Sequence, residues 1–118
     1  MSKSIVLAKN EHLTGNSETR VELGDDVITG IWNLIRDTPE FYPWLAEIVN
    51  DAYEDFVIES PNVPQLKNET LKILKELTPP NDQKVYPSTV INLTWLRVLL
   101  ALAESAIEFR LNIYGFAD

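Results

Sequence analysis

Residues 88–114 read STVINLTWLRVLLALAESAIEFRLNIY, and this stretch decides the architecture the sequence implies. Ser88 offers a side-chain oxygen to the free amides of a first helical turn, and Gly115 is a natural stop. The spacing predicts one helix over 88–114, about 40 Å long at 1.5 Å per residue. At about 100° per residue, Thr94, Arg97, Glu104, Ser105, Glu108 and Asn112 share one narrow polar stripe. Apolar side chains such as Leu93, Leu96, Leu99, Ala103, Ile107 and Ile113 fill most of the remainder. A surface helix needs an apolar stripe of about 100°. This one is far wider, so it calls for cover on more than one side, as the central helix of a bundle or as a helix shared with a second copy of the chain. Asn92 and Arg110 interrupt the apolar arc near its ends, where both are expected to reach solvent. Arg97 and Glu104 also break the longest apolar run, short of the roughly 20 uncharged residues a membrane span requires.

Working back from this helix, the punctuation stays helical as far as Gly24. Asp25 or Asp26 caps a first helix carrying Val27, Ile28, Ile31, Trp32, Leu34 and Ile35, which ends near Asp37 because Pro39 disfavours helical geometry at Thr38. Thr38-Pro39-Glu40 opens a second, whose face of Trp44, Leu45, Ile48, Val49, Ala52 and Phe56 runs to about Ile58. Ser60–Pro64 is a break. A third helix covers about 65–77, and Thr78–Asp82 closes it. The first and third would reach only about 18–20 Å each.

Residues 1–24 differ. Ile5-Val6-Leu7 and Arg20-Val21-Glu22-Leu23 have strand propensity, with a polar, turn-rich piece between them. Two alternatives stand, a loose β-hairpin or an irregular arm over a helical core. The expected fold is therefore a single all-α domain, 1–118, with residues 1–24 as an extended or hairpin arm and 25–118 as a four-helix bundle-like core.

Charge is distributed unevenly. The formal net charge is −8, and residues 37–65 hold seven acids and no base. On a continuous second helix Glu40, Glu47, Asp51 and Glu54 fall along the face opposite the buried one, with Asp55 at its border. Like charges at this spacing repel by a few tenths of a kcal/mol per pair. A solvated face explains such a ridge, and so does a docking surface for a basic partner, whose approach the field would accelerate. Tyr42, beside the ridge, is a candidate anchor because interface hot spots favour aromatic side chains.

Composition excludes much chemistry. The chain has no cysteine and one histidine, His12, so thiolate metal sites, cysteine nucleophiles and multi-histidine centres are out of reach. Four glycines build no phosphate-cradling loop. Lys67, Lys72 and Lys75 alternate with acids and make no nucleic-acid footprint. The apolar run at Ile5–Ala8 is too short for a secretory leader, so a cytoplasmic location is expected, and the glycosylation patterns at Asn68 and Asn92 carry no weight. No enzyme, cofactor or metal is expected. The expected function is a small acidic protein-binding module, like an immunity, antitoxin or inhibitor protein. It would dock a basic protein surface through Glu40, Tyr42, Glu47, Asp51, Glu54 and Asp55. The alternative is a structural or assembly subunit that self-associates through the C-terminal helix.

Overall fold

A computed structural model describes residues 2–17, 19–49, 54–77 and 87–117. In chain order the elements are β1 (Ser2–Ala8), β2 (Arg20–Gly24), α1 (Asp25–Ile35), α2 (Pro43–Val49), β3 (Phe56–Ile58), α3 (Val63–Leu77), α4 (Pro87–Phe109) and β4 (Asn112–Ala117). Short 3-10 helical segments lie at Glu11–Asn16, Pro39–Phe41 and Ser60–Asn62. The fold is thus mixed α and β, not an all-α bundle. The four strands form one antiparallel sheet in the order β2-β1-β4-β3.

Strand alternation shows how the layers meet. The register aligns Ile5 with Val21 and Gly115, Leu7 with Ile113, and Phe56 with Gly115, so these residues share one sheet face. Ile5, Leu7, Leu23, Phe56, Ile58 and Ile113 join a single core with Ile31 and Ile35 of α1, Leu45 and Ile48 of α2, Leu66 and Ile73 of α3, and Leu96, Leu99 and Ala103 of α4. The helices therefore cover one face. Ser4, Val6 and Ala8 point to the other face and are buried too, so β1, one of the two inner strands, is enclosed on both sides. The N-terminal strands do pair, Ser2 to Gly24 through Val6 to Arg20. They are not an arm over helices but one half of the sheet.

Two helical expectations fail for identifiable reasons. The second helix, described over Pro43–Val49, does not run on to about Ile58, because Phe56-Val57-Ile58 forms an edge strand buried at Phe56 and Ile58 and exposed at Val57. Phe56 suits the helical spacing, but a three-residue run of β-branched and aromatic side chains suits a pleated edge as well. The ridge of carboxylates along a continuous helix therefore does not exist.

The last helix stops at Phe109, and Asn112–Ala117 is β4. Arg110 adopts φ 54°. Its N–H donates to the Ile107 carbonyl at 3.3 Å, and the Leu111 N–H donates to the Ala106 carbonyl at 2.8 Å. These two bonds satisfy two of the carbonyls in the last turn in the manner of a Schellman cap, in which the left-handed position normally falls to glycine. Without a glycine at 110, nothing in the sequence announced the stop. The outward stripe of α4 does carry Thr94, Arg97, Glu104 and Glu108, all exposed, and Arg110 is exposed as well. Asn92 is not: it is half-buried against α1, where a Cβ added at Gly30 would lie 2.6 Å from its Oδ1. Replacing Arg110 with glycine removes the left-handed backbone penalty and is expected to stabilise the fold by about 0.5–1 kcal/mol. Chemical denaturation of the two proteins checks this.

Candidate functional site

A cleft of about 410 Å³ opens at the β3 side of the sheet, lined by Glu11, Glu47, Asp55, Phe56, Val57, Tyr114, Gly115 and Phe116. Three carboxylates from separate parts of the chain line it: Glu11 from the first 3-10 segment, Glu47 from α2 and Asp55 from the approach to β3. Val57, Tyr114 and Phe116 share the sheet face turned away from the helices. The Tyr114 and Phe116 rings lie nearly parallel, 8° apart with centroids at 6.5 Å. They are neighbours because residues i and i+2 of a strand project to the same side. Asn112 fixes this corner. Its Nδ2 donates to the Tyr114 hydroxyl at 3.1 Å and to the Lys9 carbonyl at 3.3 Å, and its Oδ1 accepts from the Ser60 amide at 2.8 Å. Among the described residues no lysine or arginine lines the cleft, and no three histidine, aspartate or glutamate side chains stand close enough to share a metal ion.

The residues singled out from the sequence scatter. Glu47 and Asp55 line the cleft. Asp55 also holds the sheet together, since its Oδ1 accepts from the Ala117 amide at 2.8 Å, just beyond the last β3–β4 pair, Phe56 with Gly115. Glu40 and Glu54 are exposed outside the cleft lining, and Asp51 lies outside the described residues. Tyr42 is no surface anchor: it is only 4% exposed, and its hydroxyl donates to Glu76 Oε2 at 3.1 Å. Burial, with Glu76 nearby, raises its pKa above the ordinary tyrosine value. Lys72 Nζ stands 5.2 Å from the ring centroids of both Phe41 and Tyr42, a cation–π contact joining α3 to the turn before α2.

The sequence did not disclose how α2, which carries Glu47, is positioned. Glu69 of α3 is buried, and its Oε1 accepts from the Trp44 amide at 2.9 Å and the Leu45 amide at 3.1 Å. At the opposite end, the fully buried Lys3 donates from Nζ to the Ile48 carbonyl at 2.9 Å and stands 5.3 Å from the centre of the Phe56 ring. The described part of α2 thus has a carboxylate at its N-terminal end and an ammonium at the other, the arrangement a helix dipole favours. Both groups come from distant sequence, so spacing alone could not reveal them. Glu11, Tyr114 and Phe116 were missed for another reason. The alternation Ile113-Tyr114-Gly115-Phe116 is a strand signal that the apolar length of the preceding helix concealed.

Among the described residues no helix is long and apolar enough to cross a membrane. Comparison with protein-family models, with curated proteins and with solved structures finds no match.

Proposed function

We propose that the protein is a non-enzymatic binding module that receives a basic segment of a partner protein in the β3–β4 cleft. The presence of Glu11, Glu47 and Asp55 in the lining of one cleft with the Tyr114–Phe116 pair carries this reading. Carboxylates attract a lysine or arginine, and aromatic faces hold its alkyl stem or guanidinium plane. The net charge of −8 steers a basic partner toward the molecule from a distance. A cytoplasmic setting belongs to the same reading and is consistent with the cysteine-free composition.

A synthetic peptide rich in arginine and lysine is the probe. Titration by calorimetry should show binding that weakens as salt rises. Glu47→Lys should lower the affinity about tenfold, in line with the loss of one charge-assisted contact. Glu104→Lys makes the same change of net charge on the outward stripe of α4 and should lower it less than about twofold. Equal losses in the two variants would show attraction to overall charge alone and defeat the assignment.

A further inference from the structure

The sheet ends on its other side at β2, which among the described residues pairs with β1 alone. Arg20 and Glu22 are exposed on this strand, Val21 is half-buried and Leu23 is buried. Within the sheet Arg20 faces Val6 and Glu22 faces Ser4, so the residue across from each is uncharged. Edge strands are commonly protected by charge, and like charges repel an incoming strand. Here the two charges have opposite sign and sit two residues apart on one face. That spacing is self-complementary.

We propose that the outer edge of β2 is the contact surface for a second copy of this chain, joined antiparallel about a two-fold axis through Val21. In that register Arg20 of each copy stands opposite Glu22 of the other, and Val21 meets Val21. Neighbouring registers fail. An axis through Glu22 sets glutamate against glutamate, and an axis through Arg20 sets arginine against arginine, both destabilising. A one-residue slip would set the Arg20–Glu22 face of one copy against the helix-covered face of the other. A two-fold pairing of this kind closes on itself and yields a dimer, not a fibre. The result is an eight-stranded sheet with all helices on one side and the two β3–β4 clefts at its far ends. The surface is independent of the cleft, so either assignment stands without the other. Five residues per copy make a small contact beside the roughly 800 Å² per partner of a standard interface, so the dimer is a weak one.

Sedimentation equilibrium decides the matter at protein concentrations up to about 1 mM, where sub-millimolar dimers are populated. The wild type should move from the 13.4 kDa monomer mass toward twice that value. Arg20→Glu alone and Glu22→Arg alone should each stay monomeric, since each creates two like-charge pairs. Mixed in equal amounts, the two variants should form a heterodimer, because the two glutamates of one chain then face the two arginines of the other. The exchanged double variant Arg20→Glu/Glu22→Arg should dimerise as the wild type does. Circular dichroism of each variant confirms that these exposed changes leave the fold intact. A wild type that remains monomeric throughout would overturn the proposal. So would a dimer that survives in both single variants and is lost instead with Ile91→Lys on α4.

Discussion

Gly115→Ala is expected to destabilise the protein by about 3 kcal/mol or more, the upper range for overpacking a core. The ring of Phe56 lies directly over the Gly115 Cα on the helix-facing side, where an added Cβ would overlap ring atoms Cε1, Cδ1 and Cζ. Phe56 has little freedom to retreat. It is 7% exposed, its backbone is paired with Gly115 itself, and Lys3 stands over the ring. Gly115 also pairs with Ile5, so the strain passes from β4 to the other inner strand, β1. The double-mutant cycle is the sharper measurement. In a Phe56→Leu background, whose own cost is the partial loss of a buried ring, Gly115→Ala should cost less than about 1 kcal/mol. Additive losses would show that ring overlap is not the cause. Phe56 and Gly115 line the cleft as well, so Gly115→Ala should weaken binding of the basic peptide along with stability.

Glu69→Ala is the second large effect, expected at about 2–4 kcal/mol. It removes the acceptor for two amides at the start of α2, at least one of them buried, and leaves a gap between α2 and α3. Glu69→Gln should behave quite differently, because its carbonyl oxygen can still accept both amides. The wild-type carboxylate has a second oxygen, Oε2, that is buried without a hydrogen-bond partner among the described residues. Burial raises the Glu69 pKa above the usual carboxylate value, against the lowering influence of the Leu45 and Trp44 amides and of Gln65. The folded state therefore holds this proton more tightly than the unfolded chain does. The stability it contributes is complete below the unfolded pKa and is lost as pH rises through the higher folded value. Relative to wild type, Glu69→Gln should gain stability as the pH climbs from about 4.5 toward neutrality. Urea denaturation of both proteins across that interval tests the sign, and parallel pH profiles would contradict it.

These two residues illustrate what a single sequence discloses and what it withholds. α1 and α3 were legible because prolines and apolar spacing agreed within each segment, although the N-cap of α1 is Gly24 and not Asp25 or Asp26. The strand character of Ile5–Leu7 and Arg20–Leu23 was legible too, but not their partners. β1 lies inside the sheet only because β4 pairs with it, and β4 was hidden inside an apolar stretch long enough to pass for helix. Arg110 takes a backbone conformation that residue type does not signal, so the boundary left no mark. Phe56 fitted two periods at once. Once that segment was read as helix, Glu47 and Glu54 fell on a common face that the folded chain does not contain. Glu47 and Asp55 still meet at one cleft, through packing of α2 beside β3, while Glu11 enters from a segment read as a surface turn. Glu69 and Lys3, the groups that hold α2 at its two ends, look in sequence like any other charged residues.

The register that sets Lys3 against Ala117 joins strands more than 100 residues apart in sequence. While the polypeptide is being synthesised, the β1–β2 hairpin can form early, but one flank of β1 stays bare and β3 has no strand to pair with until β4 has left the ribosome. Closure of the sheet is thus deferred to the final step of folding, when a loop of more than 100 residues must be drawn together. Ribosome-stalled chains that end before Asn112 should consequently remain open to proteases, whatever helical content they have already acquired.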